Sequence, residues 1–228
     1  MSPTGQSEAR LRLTELFFSL QGESSFVGLP SVFVRLTGCP LRCGYCDTEY
    51  AFSGGEWLAL PEIMQQVKHH NAQYVCVTGG EPLAQRDCGE LLKRLCDVGY
   101  RVSLETSGSL DIAGVDSRVH RIMDIKTPDS GEESKNRYAN IEQLCDKDEV
   151  KFVLCSRSDY DWAKGILKKY SLQDKCQVLF SPVHASAGEL AHRGLPPGDL
   201  ADWIINDQLN VRFQLQLHKY LWNDEPGR

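Results

Sequence analysis

A chain of 228 residues, 41% hydrophobic and 25% charged, can bury one substantial core and has the composition of an ordinary soluble globular protein. Its net charge of −6 excludes broad nucleic-acid binding, which needs a cationic face. It has no apolar run of about 18 residues, and the polar start "MSPTGQSEARLRLTE" lacks the apolar stretch of a secretory signal, so no membrane association and a cytoplasmic location are expected.

In chain order, residues 1–10 read as a flexible leader to a single domain over 1–228. "LTELFFSLQ" is an apolar stretch that runs into polar "QGES". "SVFVRLTG" (31–38) is β-branched and predicts a strand, with a cysteine-rich loop directly after it. "PEIMQQVKHHN" (61–71) predicts a helix, with Pro61 in its first turn and Ile63 and Val67 on one face. "YVCVTGGEP" (74–82) predicts a buried strand ending in a glycine turn. "DCGELLKRLCDVG" (87–99) predicts a helix, with Asp87 and Glu90 at capping-box spacing and Gly99 as its stop. Strands are expected at 101–108, 121–128, 148–156 and 177–183. Helices are expected at 158–172, with Trp162 and Ile166 stacked, and at 199–207. The alternation of "VRFQLQLHKYLW" (211–222) predicts a last strand.

Strand followed by helix means an α/β fold with a largely parallel sheet. About six such units are too few for a closed eight-unit barrel, which leaves a partial, open barrel or a doubly wound sheet. The unusual polar motifs all fall where strands end: the cysteine loop, "TGGEP", "ETSG", "DIKTP" and "SPVH". In parallel α/β folds those ends share one face, and that face carries the active site.

Nine cysteines are an odd number, so complete internal pairing is impossible. Cys76, Cys88, Cys96, Cys145, Cys155 and Cys176 have no partner at ligand spacing and read as small buried hydrophobes. Cys39, Cys43 and Cys46 form a constellation. Three thiolates can hold three corners of a cubane cluster and leave its fourth iron open. A structural zinc wants four protein ligands, and the nearest histidines, His69 and His70, lie in a predicted helix with a solvated surface as their expected place. A disulfide would leave one thiol over and conflicts with a reducing compartment. Other charged residues also stand out. Arg35 sits in an apolar strand, where a guanidinium can clamp a carboxylate bidentately or pair with a structural acid. Glu23 and Glu105 lie near strand ends and can accept bonds from an amino edge, or pair with Arg35 or a lysine. Ile122, Asp124 and Lys126 share a strand face by alternation, and the last two can simply pair with each other.

Cys-x-x-x-Cys-x-x-Cys with Tyr45 before its last cysteine, followed one strand later by "TGGEP", resembles the radical S-adenosylmethionine enzymes. "FFSLQGES", "GLPSVFVRLTGCPLRCGYCDT", "VTGGEP", "LETSG" and "LQLHKYLW", in that order, resemble the 7-carboxy-7-deazaguanine synthases within that superfamily. The family pattern has glycine where this chain has Ser24, Ser-Pro-Lys at Asp124-Ile125-Lys126, and Gln-Pro at Ser181-Pro182.

The resemblance implies a partial, about six-unit, open β/α barrel with its site at the C-terminal strand ends. It implies a [4Fe–4S] cluster on Cys39, Cys43 and Cys46, with S-adenosylmethionine chelating the open iron. Around that cofactor it places Tyr45, Cys46 and Asp47, then Gly79, Gly80 and Glu81, then Ser107. Asp124, Ile125, Lys126, Ser181, Pro182, Val183 and His184 complete the set. For the substrate, 6-carboxy-5,6,7,8-tetrahydropterin, it implies Leu20, Gln21, Gly22, Glu23, Arg35, Thr78, Glu105 and His218. Thr48 is implied for Mg²⁺. The activity implied is a lyase reaction yielding 7-carboxy-7-deazaguanine and ammonia, on the way to queuosine-type nucleosides. A flavodoxin-type electron donor and a homodimer are implied as partners. A glycyl-radical-enzyme activase is the nearest alternative, and a non-catalytic iron–sulfur or zinc module the alternative of another class.

Overall fold

The computed structural model describes residues 9–184, 194–223, 225 and 227–228. Most of the expected leader lies outside the described residues. At its end the structure differs, because Ala9 packs against the core and accepts a hydrogen bond from Leu60 N, and Arg10 opens the first strand.

That strand, β1 (Arg10–Leu20), pairs antiparallel with β2 (Pro30–Leu36) and with the short β3 (Glu56–Ala59). Its register against β2 shifts between Leu13 and Glu15. Such a bulge adds a residue to one strand and breaks the two-residue alternation, which hides β1 from a periodicity argument.

From β2 onward the sheet is parallel. β4 (Tyr74–Gly79), β5 (Arg101–Thr106), β6 (His120–Asp124), β7 (Glu149–Leu154), β8 (Gln177–Pro182) and β9 (Arg212–Phe213) follow in order, giving β3-β1-β2-β4-β5-β6-β7-β8-β9. Helices cover the outside: α1 (Leu60–His69), α2 (Cys88–Asp97), α3 (Arg157–Tyr170) and α4 (Pro197–Asn206). The β5–β6 and β6–β7 crossings carry loops and 3₁₀ turns instead of α-helices. One cavity is lined both by Phe17 of β1 and by Val183 just past β8, so the sheet wraps into a partial, open barrel.

Three local expectations are corrected. Asp87 and Glu90 form no capping box, because Asp87 accepts from Arg10 N at 3.1 Å and Glu90 pairs with Arg94. Cys145 is exposed, hydrogen-bonding through its Sγ to Asp148, and is not a buried hydrophobe. The last strand ends at Phe213, and Leu217–Trp222 is a helix, α5. Beyond Phe213 the chain leaves the sheet for the loop after β1: Gln214 bonds both backbone groups of Ser24, and Leu217 N donates to Gly22 O at 2.9 Å.

The core joins aliphatic side chains of the strands to a ring cluster. Phe180 of β8 meets Phe152 at 5.4 Å and Tyr160 at 5.9 Å, both edge-on. Near the start of β6 and β7 the buried Arg121 and Asp148 form an ion pair, and Asp148 also accepts from the backbone N–H of Arg121 and of Cys145. Burial opposes ionisation of Asp148, yet the Arg121 and Cys145 hydrogen bonds hold its carboxyl down at about 2.

Asp148→Ala should strand a buried guanidinium and lower the unfolding free energy by about 3–5 kcal/mol. Urea denaturation at neutral pH checks this. Because the folded pKa is depressed, the pair's contribution should be complete above the ordinary carboxyl value of 3.8 and be lost as pH falls through about 2.

Candidate active site

The cavity at the C-terminal strand ends measures about 440 Å³. Cys39, Cys43 and Cys46 all line it, as unpaired thiols on the loop that follows β2. Burial raises all three thiols, Cys43 to about 11, with Lys126 partly offsetting the rise. Cys155, just past β7, is close enough to interact electrostatically with Cys43 but does not line the cavity. Among the described residues, no three Cys, His, Asp or Glu side chains converge closely enough to hold a single metal ion.

The cysteine loop rests on the glycine turn after β4. Gly80 N donates to Leu36 O and Glu81 N to Gly38 O. A Cβ on Gly80 would stand 2.3 Å from Gly38 O and 2.7 Å from Cys39 Cβ. Gly79 has φ +153°, and a Cβ there would stand 2.2 Å from Leu36 O. Both glycines are therefore required by close backbone approach.

Asp124, at the end of β6, holds Lys126 Nζ at 2.7 Å, so the same-face pair read from the sequence is present. Burial opposes the Lys126 charge, but Asp124 and the thiols of Cys43 and Cys46 keep its pKa raised. Asp124 Oδ1 is buried with no hydrogen-bond partner among the described residues. Tyr45 lies under Lys126, 5.8 Å from ring centroid to Nζ. Asp47 pairs with Lys219 at 3.0 Å and accepts from Thr48 Oγ1 at 2.8 Å.

Arg35 of β2 also lines the cavity, its Nε 2.6 Å from Glu15 Oε1. Tyr50 OH donates to the same oxygen at 2.8 Å. Arg35 thus has the structural acid of the second reading, and it also lines the cavity as the first reading requires. Glu105 accepts from Gln21 Nε2 at 3.2 Å and Thr78 Oγ1 at 2.9 Å. Glu23 accepts from Lys151 Nζ at 2.5 Å and Gln216 Nε2 at 2.8 Å. His218, now in α5, lies against Gly22, where a Cβ would fall 2.1 Å from its Nδ1. Leu20, Ser107, Val183 and His184 also line the cavity.

Four expected side chains do not reach it. Glu81 is fully buried behind it and accepts from Leu83 N, Thr106 Oγ1, Ser107 N and Ser107 Oγ, so it anchors the Ser107 turn. Ile125 packs into the core and lines a small separate cavity. Ser181 and Pro182 lie within β8, and Pro182 lines a smaller adjoining cavity. Only Val183 and His184, past the strand end, reach the large one. Conversely, Phe17, Phe33, Tyr50, Lys151, Gln216 and Lys219 line it without having been singled out. Lys151 carries the same signal as Arg35, a cation inside an apolar strand.

The residues fit an iron–sulfur cluster with S-adenosylmethionine. Three thiols share one cavity, a glycine cradle backs them, and the orphaned Asp124 Oδ1 suits a ligand hydroxyl or amine. Comparison with known proteins agrees. The model of the radical SAM superfamily matches residues 33–130. The 7-carboxy-7-deazaguanine synthase of Koribacter versatilis is 42% identical over 222 residues, covering 94% of this chain and 98% of that protein. That of Chlorobaculum tepidum is 45% identical, covering 96% and 97%. The crystal structure of QueE from Escherichia coli shares the fold, with a TM-score of 0.72 at 22% identity over 92% of this chain and 95% of that one.

Gly80→Ala should push the cysteine loop off its seat, because backbone at 2.3 Å cannot yield as a side-chain end does. Bound iron after anaerobic reconstitution should fall, and turnover should drop roughly 100-fold, the scale of a 1 Å misplacement. Unchanged iron content would show that the loop does not depend on this turn.

Proposed function

The chain belongs to the 7-carboxy-7-deazaguanine synthase family, and from that premise we propose that its cavity holds a carboxylated tetrahydropterin against the cysteine loop. It is a radical S-adenosylmethionine lyase, converting 6-carboxy-5,6,7,8-tetrahydropterin to 7-carboxy-7-deazaguanine with loss of ammonia. The observation that carries the residue assignments is one shared cavity: three free thiols and Lys126 line it together with Arg35, Glu23 and Glu105.

When bound, the cluster and S-adenosylmethionine would supply the radical chemistry that activates the pterin for ring contraction. Cys39, Cys43 and Cys46 would hold that cluster through their thiolates. Gly79 and Gly80 let backbone approach the cofactor's ammonium without a side chain intruding. Lys126 faces its carboxylate or ribose, and Asp124 holds Lys126 in that orientation. Tyr45, Asp47, Ser107, Val183 and His184 border the same region, while Ile125, Ser181, Pro182 and Glu81 support it from behind.

Arg35 clamps the substrate carboxylate. Glu15 occupies its Nε and leaves the two terminal nitrogens for a bidentate contact. Burial works against the guanidinium charge, and Tyr50 with Glu15 more than offsets it. Glu23 and Glu105 accept the amino edge of the pyrimidine ring. Leu20, Gln21, Gly22 and Thr78 border that edge, and His218 adds a donor toward the carboxylate. The hydroxyl proton of Thr48 goes to Asp47, which leaves its oxygen lone pairs for Mg²⁺, an ion that takes few protein ligands. A flavodoxin-type donor, a cytoplasmic location and a homodimer are supported by resemblance to the family. Among the described residues no helix is long and apolar enough to cross a membrane.

A cavity of about 440 Å³ lined by Arg35, Glu23, Glu105, Lys126 and Lys151 suits a small charged molecule better than the protein substrate of a glycyl-radical-enzyme activase. A non-catalytic module would have no use for the charged side chains that share the cavity with the thiols. Anaerobic incubation with S-adenosylmethionine, reductant, Mg²⁺ and the carboxytetrahydropterin should yield a deazaguanine product, and a fully clustered protein that yields none would overturn the reading. Alanine at Cys39, Cys43 or Cys46 should abolish turnover. Arg35→Ala should raise KM by a factor of 10 or more, the scale for losing one partner of a buried charge pair, with kcat less affected.

A further inference from the structure

Glu23 has a role as acceptor for the pterin, but its ion-pair partner has none so far. Lys151 projects from β7 into the cavity with its side chain 12% exposed. Its ammonium meets Glu23 Oε2 at 2.5 Å and stands 4.0 Å from Asp124 Oδ2. The same Asp124 oxygen holds Lys126 Nζ at 2.7 Å. Gln216 Nε2 closes the other end, donating to Glu23 Oε1 at 2.8 Å. These groups form one continuous polar chain along the wall, from the loop after β1 to the lysine beside the cysteines.

We propose that Lys151 is a positioning residue for the substrate, fixing the ionised Glu23 carboxylate where it receives the amino edge of the pterin. The inference rests on the pterin reading of the cavity. An ammonium carries three donors on a compact charge, so it can serve Glu23 and Asp124 together. A carboxyl this enclosed would otherwise become neutral, and a neutral acid is a poor acceptor for two N–H groups. Burial raises the Glu23 pKa, but Lys151 together with His218 and Gln216 outweighs it and the net shift is downward. The other groups facing Glu23 are His218 of α5 and Gln216 just before it, and the acids facing Lys151 are Glu23, Asp124 and Glu105. Removing Lys151 leaves burial opposed by His218 and Gln216 alone among these groups, so the carboxyl pKa should rise. Activity that needs the ionised form should then be lost at a higher pH as the solution is made acid.

Lys151→Met, Lys151→Arg and Glu23→Gln are compared with wild type, each reconstituted anaerobically. Lys151→Met should raise KM for the pterin at least about tenfold with a smaller change in kcat, and should move the acid limb of kcat/KM to higher pH. Lys151→Arg keeps the charge but not the compact head, so KM should rise while the acid limb stays in place. In a Glu23→Gln background, Lys151→Met should cause no further pH shift. A folded Lys151→Met protein with wild-type KM and acid limb would overturn the proposal. If the methionine variant does not fold, a displaced acid limb in Lys151→Arg would do the same. Equilibrium dialysis of the pterin without reductant separates the two readings. Wild type that binds the pterin but makes no product removes the reaction, and the affinity ratio between wild type and variants still decides the role of Lys151. Wild type that does not bind it overturns both.

Discussion

The site depends on the parallel pairing of β2 with β4. Hydrogen bonding in register from Ser31–Tyr74 to Leu36–Gly79 brings both strands to an end at the same level. The glycine turn after one strand then lies under the cysteine loop after the other, close enough that Gly80 N reaches Leu36 O and Glu81 N reaches Gly38 O. A shift of register by one residue would put Arg35 and Thr78 on opposite faces of the sheet and part the loops. The same pairing repeats across β5, β6, β7 and β8, so Glu105, Asp124, Lys151 and Val183 arrive at one mouth although their positions in sequence are far apart.

Bringing so many charged groups into one cavity carries an electrostatic cost, and their pairing offsets it. Glu15 with Arg35, Glu23 with Lys151, Asp124 with Lys126 and Asp47 with Lys219 each join opposite charges within hydrogen-bond reach. Glu105 has two neutral donors instead. Such pairs add little net stability, because desolvation consumes most of the Coulombic gain. What they provide is fixed geometry. Each functional head group keeps part of its hydrogen-bonding capacity for a ligand while its remaining capacity pins it in place. Glu81, fully buried, does the same from outside the cavity by anchoring the Ser107 turn.

Much of this was legible in the sequence for one reason: the signals were local. A strand with β-branched residues, a glycine pair and three cysteines at fixed spacing each fit within about ten residues. Alternation also put Asp124 and Lys126 together correctly. It failed where the backbone departs from a plain strand. The bulge near Leu13 masked β1, and "LQLHKYLW" alternates but folds as a helix once Gln214 and Leu217 are tied to the loop after β1. The anchoring contacts of Glu81 were not legible, because a carboxylate after a glycine turn reads the same whether it faces a ligand or caps a buried turn. Lys151 was overlooked although its strand shows the same anomaly that drew attention to Arg35.

Ser24 shows how the last element completes the site. It has φ +64°, a left-handed conformation that favours glycine, yet it is a fully buried serine. Its Oγ accepts from Phe26 N, and its backbone N–H and C=O both bond the Gln214 side chain. Local hydrogen bonding of this kind offsets the conformational penalty a side chain incurs there. Next to this clasp, Leu217 N bonds Gly22 O, Gln216 bonds Glu23, and Lys219 reaches Asp47 beside the last cysteine. One short C-terminal segment therefore touches the substrate side and the cofactor side together. The loop after β1 is also held from the sheet side, by Lys151 on Glu23, by Gln21 on Glu105, by Glu149 at Ser25 and by Phe26 against Tyr74 and His120, so the C-terminal segment completes an anchoring that the strands begin. Residues nearly 200 positions apart therefore share a single wall of the cavity.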